Sequence, residues 1–410
     1  MKTIAIIACC DTKYHEIAFA RERIEKAGHE ALVVDISTGP ILPMEGDVRR
    51  ETVLEAGGFS WNEVKSFSKS EAIDAMAKSI AVALPRLARE KRIHGVLGMG
   101  GLQNAVICSA AFRKLPMGFP KLIVSTVASG YRYFDMLVGD RDITTVPSIV
   151  DFTGINPISK TILGNAVAGV IGMVEHGGEP IDTEGHFLIA TTLMGITNDT
   201  VMNAVDQLER LGRETISFHS TGIGGRVMEE MIRQGHIRAV MDLTLHEMTA
   251  EYLGGYGYSK GANGRLNAAA ERGIPMLVCP GGIDFLCLSK EDFLADQEER
   301  GYVWHNSDLT HTRLHEREIL EITDTIIHRV NQSRGRVTVL LPLGGLRTLS
   351  GPGEPFHKPE IIRKMRERFK RGLNGSIRFV CEETGFNDPA FADAIVREML
   401  LLLEGEHEHV

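Results

Sequence analysis

The chain opens on an apolar run, TIAIIACC (residues 3–10), followed by EIAFARERIEKAG (16–28), where apolar residues recur every three to four positions up to a closing glycine. A second apolar run, EALVVDIS (30–37), comes next. A buried strand, an amphipathic helix and a second strand predict a βαβ unit. After a Pro/Gly-rich loop the pattern continues with a helix over about 70–90, the strand IHGVLG, a helix starting at Gly101 and the strand KLIVST (121–126). Short β-branched runs alternating with helices predict a parallel sheet covered on both faces.

A long helical run from Asn156 to His176 is broken by HGGEPIDTEGH (176–186), where glycine, proline and charge mark a domain boundary. The pattern then restarts: strand HFLIATT, helix NDTVMNAVDQLERLG, strand ETISFHS, glycine turn TGIGG, helix RVMEEMIRQG and strand IRAVMDLT. Strands at 274–280 and 336–345 and helices near 312–333 and 388–403 complete the second half. The expected architecture is α/β, two Rossmann-like domains over 1–180 and 181–410, each a mostly parallel sheet flanked by helices.

Composition narrows the partners. A net charge of −9 with both signs interspersed leaves no basic stripe for nucleic acid and no polybasic membrane patch. The opening run is too short for a secretory signal, and AVAGVIGMV, the longest later apolar run, is too short to span a bilayer. Six cysteines without C-x-x-C spacing, most of them in apolar strand-like runs, suit a reducing cytoplasmic setting. Small-molecule ligands or other proteins are the expected partners.

In open parallel sheets ligands bind beyond the carboxyl ends of the strands, so the residues following each strand are the candidates. In the first half these are Asp11, Thr12 and Lys13; Ser37, Thr38 and Gly39; Gly98, Gly100 and Gly101; and Ser125, Thr126, Ser129 and Gly130. Lysine, hydroxyls and glycine N–H groups at a helix start suit an anion, and Asp11 suits a sugar hydroxyl or a metal. The plainer role of such residues is capping and turn formation. In the second half Thr221, Gly222, Gly224 and Gly225 form a glycine nest beside Arg226, and Gly345 ends a further strand, a set suited to a substrate phosphate or carboxylate. His219, Asp242 and Glu247 are the candidates for moving protons there, with His246 and Asp284 on the same rim.

Metal and nucleophile chemistry has less support. His311 and His315 in HTRLHERE stand one helical turn apart, but no H-E-x-x-H motif or third ligand accompanies them, and no metal site is assigned. Cys279 and Ser220 sit at strand ends, but FHSTG is not G-x-S-x-G.

Several stretches together, DTKYHE, GMGG, STVASG, DFTGINPISKTILGNAVAGVIGMV, FHSTGIGGRVMEE, PGGIDF, HNSDLTHTR, PLGGLRTLSGPGEPFHKPE and FNDPAFADAI, resemble the Tm-1-like ATP-binding family, in order from about residue 4 to residue 400. The resemblance implies two Rossmann-like domains, a homodimer or higher homo-oligomer, and an ATP site, with magnesium as a companion ion. It maps nucleotide binding onto Asp11, Thr12, Lys13, Glu16, Gly98, Gly100, Gly101, Ser125, Thr126, Ser129 and Gly130. The family's glycine loop usually continues with small and hydroxyl residues, where this chain has Leu102, Gln103 and Asn104. That departure predicts weak ATP binding or none. Three function classes stand at this point: a nucleotide-binding protein, a hydrolase or lyase acting on a small carboxylate or phosphorylated metabolite, and a protein-binding module without catalysis.

Overall fold

The computed structural model describes residues 1–39, 43–128, 136–178, 181–254 and 264–404. The chain divides into two compact units, Met1–Asp182 and Thr183–Val410.

Unit 1 runs β1 (Thr3–Ala8), α1 (Tyr14–Lys26), β2 (Glu30–Asp35), α2 (Arg50–Ala56), α3 (Trp61–Val64), α4 (Lys69–Arg89), β3 (Gly95–Gly100), α5 (Leu102–Phe112), β4 (Lys121–Ser125), β5 (Thr144–Pro147) and α6 (Pro157–His176). Its five strands pair in parallel in the order β2-β1-β3-β4-β5. Alternation along the strands sorts the core into two layers, as a sheet covered on both faces requires. Ala5 and Ile7 of β1 pack with Met76, Ile80 and Leu84 of α4, whereas Ile4, Ile6 and Ala8 pack with Ile17 of α1 and Val167 and Val170 of α6. By length and composition α6 is apolar enough to cross a membrane. Here Leu163, Ala166, Val167, Val170 and Val174 are buried in the unit's own core.

Unit 2 runs β6 (Leu188–Leu193), α7 (Asn198–Arg210), β7 (Glu214–His219), α8 (Ile223–Gln234), β8 (Ala239–Thr244), α9 (Glu247–Tyr252), α10 (Asn267–Arg272), β9 (Met276–Gly281), β10 (Phe285–Ser289), α11 (Gln297–Arg300), β11 (Tyr302–Trp304), β12 (Leu309–Arg313), α12 (Glu316–Val330), β13 (Val337–Pro342), α13 (Pro359–Gly372), β14 (Arg378–Glu382) and α14 (Pro389–Glu404). Six strands form a parallel sheet in the order β14-β13-β9-β8-β6-β7. Together with the five-stranded sheet of unit 1, this is the α/β architecture of two Rossmann-like sheets.

Three features depart from the sequence expectation. The segment after β9 forms a separate antiparallel sheet, β10-β12-β11, so His311 lies in a strand, while His315 precedes α12 and its Nε2 pairs with Asp296 at 2.8 Å. The two histidines therefore share no helix face. In addition, α13 and β14 went unforeseen, because PEIIRKMRERFKRG carries only a narrow apolar stripe of Ile361, Ile362, Met365 and Phe369 among charges. Thirdly, β3 extends to Gly100, which places Gly98 inside the strand; a Cβ there would lie 2.9 Å from Cys108 Sγ on α5. Gly98 thus lets a helix pack closely on the sheet.

Candidate functional site

The strand order of unit 1 reverses direction between β1 and β3, and in such sheets the crevice outside the carboxyl ends at that point is the usual ligand site. There the structure has a cavity of about 410 Å³ lined by Asp11, Thr12, Thr38, Gln103, Lys65 and Lys69 among others. That volume lies in the range of small-molecule sites.

Local hydrogen bonds hold the rim. The Asp11 N–H donates to Ser37 Oγ at 3.1 Å, and its Oδ2 accepts the Gly39 N–H at 3.1 Å, tying the loop after β1 to the loop after β2. Beneath them the buried Asp35 carboxylate accepts the N–H groups of Cys10 and Ser37 at 3.2 and 2.9 Å. Gln103 Nε2 donates to Thr38 Oγ1 at 3.0 Å. Gly101 caps α5 without a side-chain acceptor, so the N–H groups of its first turn keep their capacity to bind an acceptor. Thr126 is exposed, and a Cβ on Gly101 would lie 3.7 Å from its hydroxyl, which brings the loops after β3 and β4 side by side.

Not every candidate of unit 1 faces this cavity. Lys13 Nζ donates to the Phe152 carbonyl at 2.8 Å and lies over the Phe152 ring, and Glu16 is buried, accepting the Gly154 N–H at 2.8 Å. Gly100 has φ of +140°, and a Cβ there would lie 2.4 Å from the Asn104 amide. Asn104 turns inward: its Nδ2 donates to the Met99 carbonyl at 2.8 Å and its Oδ1 accepts the Cys9 thiol at 3.0 Å. Burial, followed by the nearby Asp11 and Asp35, pushes the Cys9 thiol well above its ordinary range, which keeps it a neutral donor. Ser125 is buried at the end of β4, and Ser129 and Gly130 lie outside the described residues. Lys65 and Lys69 were missed by sequence reasoning, since they sit around a polar helix start far from any strand end, with no motif to mark them.

In unit 2 the glycine nest already has a carboxylate in it. The N–H groups of Gly222 and Gly225 both donate to Glu247 Oε1, the second at 3.2 Å. A Cβ on Gly225 would fall 1.8 Å from Glu247 Oε2, and one on Gly224 would fall 2.1 Å from the His219 carbonyl. Gly225 thus admits the Glu247 side chain, and Gly224 admits the chain's own backbone at His219. Arg265, fully buried, bridges the pair by donating from Nη1 to Glu247 Oε2 and from Nη2 to Asp242 Oδ1, which also accepts Thr192 Oγ1 at 2.8 Å. Burial raises the Asp242 carboxyl above its ordinary value, opposed by Arg265. Burial also works against the Arg265 charge, yet Asp242 and Glu247 hold its pKa above the ordinary arginine value. Glu229 of α8 completes the group, its Oε2 accepting the Ala268 N–H at 2.7 Å, and burial moves its carboxyl up to about 7.

The structure therefore brings Gly222, Gly225, Asp242 and Glu247 together, but around Arg265, which carries no motif and was not anticipated. His219 stands apart, exposed, with Nδ1 3.3 Å from Thr221 Oγ1. Arg226 is half-buried on α8, Nε having no hydrogen-bond partner among the described residues. Gly345, with φ of +136°, packs against the Ser350 carbonyl, 2.5 Å from its would-be Cβ. The Ser220 hydroxyl donates to the Thr244 carbonyl at 2.7 Å, and burial pushes the Cys279 thiol well up, so neither is poised as a nucleophile.

Comparison with known proteins adds a lineage to this geometry. Residues 2–179 match the family model described as Uncharacterised protein family (UPF0261) N-terminal domain, and residues 186–403 match its C-terminal domain. The chain belongs to the UPF0261 family. A UPF0261 protein of Clostridium tetani is 34% identical over 407 residues, covering 98% of this chain and 99% of that protein. The ToMV resistance protein Tm-1(GCR237) of Solanum lycopersicum is 30% identical over 421 residues, covering 96% of this chain but 55% of the tomato protein. Among solved structures, a UDP-N-acetylglucosamine 2-epimerase described as putative, from Listeria monocytogenes, aligns with a TM-score of 0.22 at 13% identity, over 68% of this chain and 78% of that one. The UDP-GlcNAc 2-epimerase of Methanocaldococcus jannaschii aligns with a TM-score of 0.21 at 10% identity, over 97% and 99%. Likeness at that level bears on neither ligand nor reaction.

Proposed function

We propose that this UPF0261 protein is a cytoplasmic, homodimeric small-molecule-binding protein whose unit 1 takes a polar ligand with a single anionic group at the β1/β3 crevice. The supporting observation is the cavity of about 410 Å³, whose lining combines the hydroxyl-binding groups Asp11, Thr12 and Thr38 with Lys65 and Lys69. Asp11, Thr12 and Thr38 suit sugar-type hydroxyls, and the first turn of α5 with the lysines suits the anion. The family resemblance favours a nucleotide. A triphosphate is disfavoured, because Leu102 stands exposed at the head of α5 and Gln103 spans the crevice to Thr38.

Calorimetric titration with adenosine, AMP and ATP plus magnesium tests the reading on the unmodified chain and on Leu102→Ser, Gln103→Gly and Lys69→Ala. AMP is expected to bind more tightly than ATP. Lys69→Ala is expected to weaken AMP by about threefold to tenfold, as loss of one partly exposed charge contact does. Micromolar ATP binding by the unmodified chain would overturn the single-anion reading, and unaltered AMP affinity in Lys69→Ala would remove the cavity as its site.

A further inference from the structure

A different set of buried polar groups gathers at the carboxyl edge of the unit 2 sheet, independent of the unit 1 reading. The antiparallel register sets Phe285 opposite Arg313 and Cys287 opposite His311, so these four side chains share one face of the small sheet. Phe285 and Cys287 of that face pack on Met194 and Ile196, which follow β6, and on Phe356. Arg347 enters the same cluster from the loop after β13, only 1% exposed. Its guanidinium carbon lies 4.0 Å from the Phe285 ring centroid and 4.7 Å from that of Phe356.

Arg347 is fixed in place. Ser350 Oγ accepts the N–H groups of Leu346 and Arg347 at 3.0 and 3.1 Å, and Arg347 Nε donates to Asp284 Oδ1 at 2.9 Å. Both terminal nitrogens, Nη1 and Nη2, are buried and have no hydrogen-bond partner among the described residues, and Asp284 Oδ2 has none either. A guanidinium keeps its charge in a protein, so burying one with two of its three nitrogens unpaired carries a heavy desolvation penalty. Orphaned donors of this kind, held rigidly by stacking and an ion pair, are the mark of a site awaiting an acceptor.

The surrounding charges fix what that acceptor is. Arg313 stacks on Phe356 at 5.0 Å and donates from Nη2 to the Pro355 carbonyl. His246 stacks on Phe285 with centroids 4.2 Å apart, its Nδ1–H donating to the Gly282 carbonyl at 3.2 Å, and burial holds it at about 4. His311, against the same ring, is brought to about 3 first by burial and then by Arg347. Both imidazoles are therefore neutral at pH 7. Lys358, which lines the neighbouring cavity, has its own carboxylate in Glu360, 4.0 Å away, so two guanidinium charges are left with one carboxylate, Asp284, and a single further negative charge balances them. Beside Asp284, Arg313 and Phe356 a cavity of about 20 Å³, walled by Ile361 and Met365, has room for one methyl-sized group.

We propose that Arg347, supported by Arg313, anchors a second ligand site that takes one short-chain monocarboxylate. The planar carboxylate pairs with Nη1 and Nη2, entering from the neighbouring cavity beside Asp284 and Arg313. The fork geometry selects a planar carboxylate over a tetrahedral phosphate.

Calorimetry on the full chain at constant ionic strength, with sodium acetate, sodium propionate and inorganic phosphate as probes, tests this. Acetate or propionate is expected to saturate in the millimolar range, with phosphate weaker by about tenfold. Arg347→Lys keeps the charge but loses the fork and is expected to weaken the carboxylate about tenfold or more. Asp284→Asn keeps an acceptor for Nε while removing the competing charge, so it is expected to tighten the carboxylate by roughly threefold. Should Arg347→Lys fail to fold, Arg313→Gln carries the same test, with weakening of about threefold. No saturable heat with either carboxylate, phosphate binding as tight as propionate, or Asp284→Asn binding no tighter than the unmodified chain would each overturn the proposal.

Discussion

Glu229 makes the buried charge cluster of unit 2 measurable through pH. The residue is 3% exposed on α8, Oε2 accepting the Ala268 N–H and Oε1 having no partner among the described residues. Burial raises its carboxyl from the ordinary 4.5 to about 7, opposed by the Ala268 N–H and Arg265. The folded chain therefore holds this proton more tightly than the unfolded chain does. Stability from the protonated group is fully present below about 4.5 and is lost as pH rises through about 7. The difference of about 2.5 pH units corresponds to about 3 kcal/mol. Glu229→Gln retains an acceptor for Ala268 and has no charge to bury. At pH 8 it is expected to stabilise the protein by about 3 kcal/mol, and at pH 4.5 by less than about 1 kcal/mol. In a unit of this size that corresponds to a rise in Tm of roughly 6–12 °C at pH 8. Thermal melts of both chains at the two pH values measure it. An equal offset between variant and parent at pH 4.5 and pH 8 would refute the assignment of a neutral buried carboxyl.

Gly225→Ala places a methyl group 1.8 Å from Glu247 Oε2 and must displace that carboxylate from Arg265. Breaking a buried ion pair costs about 3–5 kcal/mol, so urea unfolding is expected to shift accordingly; a variant as stable as the parent would mean Glu247 does not occupy the nest. Arg226→Ala is expected to leave sulfate binding by calorimetry unchanged, because the neighbouring nest already serves Glu247; a tenfold loss would show that Arg226 grips an external anion. Gly100→Ala forces a side chain to φ of +140° and against Asn104, and is expected to lower stability by about 1–3 kcal/mol in the same urea assay.

What the sequence made legible follows from periodicity. The strand VTVLLP is buried end to end and TIAIIA from its second residue onward, and amphipathic helices such as NDTVMNAVDQLER bury Val201, Ala204, Val205 and Leu208 along one stripe. Patterns of that kind report burial directly, so the parallel strands and their helices could be placed within a few residues. The small antiparallel sheet escaped because YVW and LTHTR are too short to show a period. β5 escaped for a related reason: an edge strand, half exposed, carries little hydrophobic contrast.

The glycine loops show where local pattern stops informing function. G-x-G-G at the end of β3 and G-I-G-G at the start of α8 look alike in sequence, and both precede a helix whose first N–H groups need acceptors. Physics fixes that need but not the source of the acceptor. In unit 2 it is Glu247 Oε1, supplied from the start of α9, with Arg265 neutralising it from the other side. In unit 1 the Gly101 cap has no side-chain acceptor and opens beside a cavity that holds Gln103 and two lysines. The same local signature is thus closed by a residue of the chain in unit 2 and left without a side-chain acceptor in unit 1. The difference lies in whether a carboxylate on another element reaches the nest, a contact set by tertiary packing that spacing along the chain does not encode. The ligand proposed above therefore belongs to the unit 1 loop, whereas the unit 2 nest is filled by Glu247 within a buried ion cluster with Arg265 and Asp242.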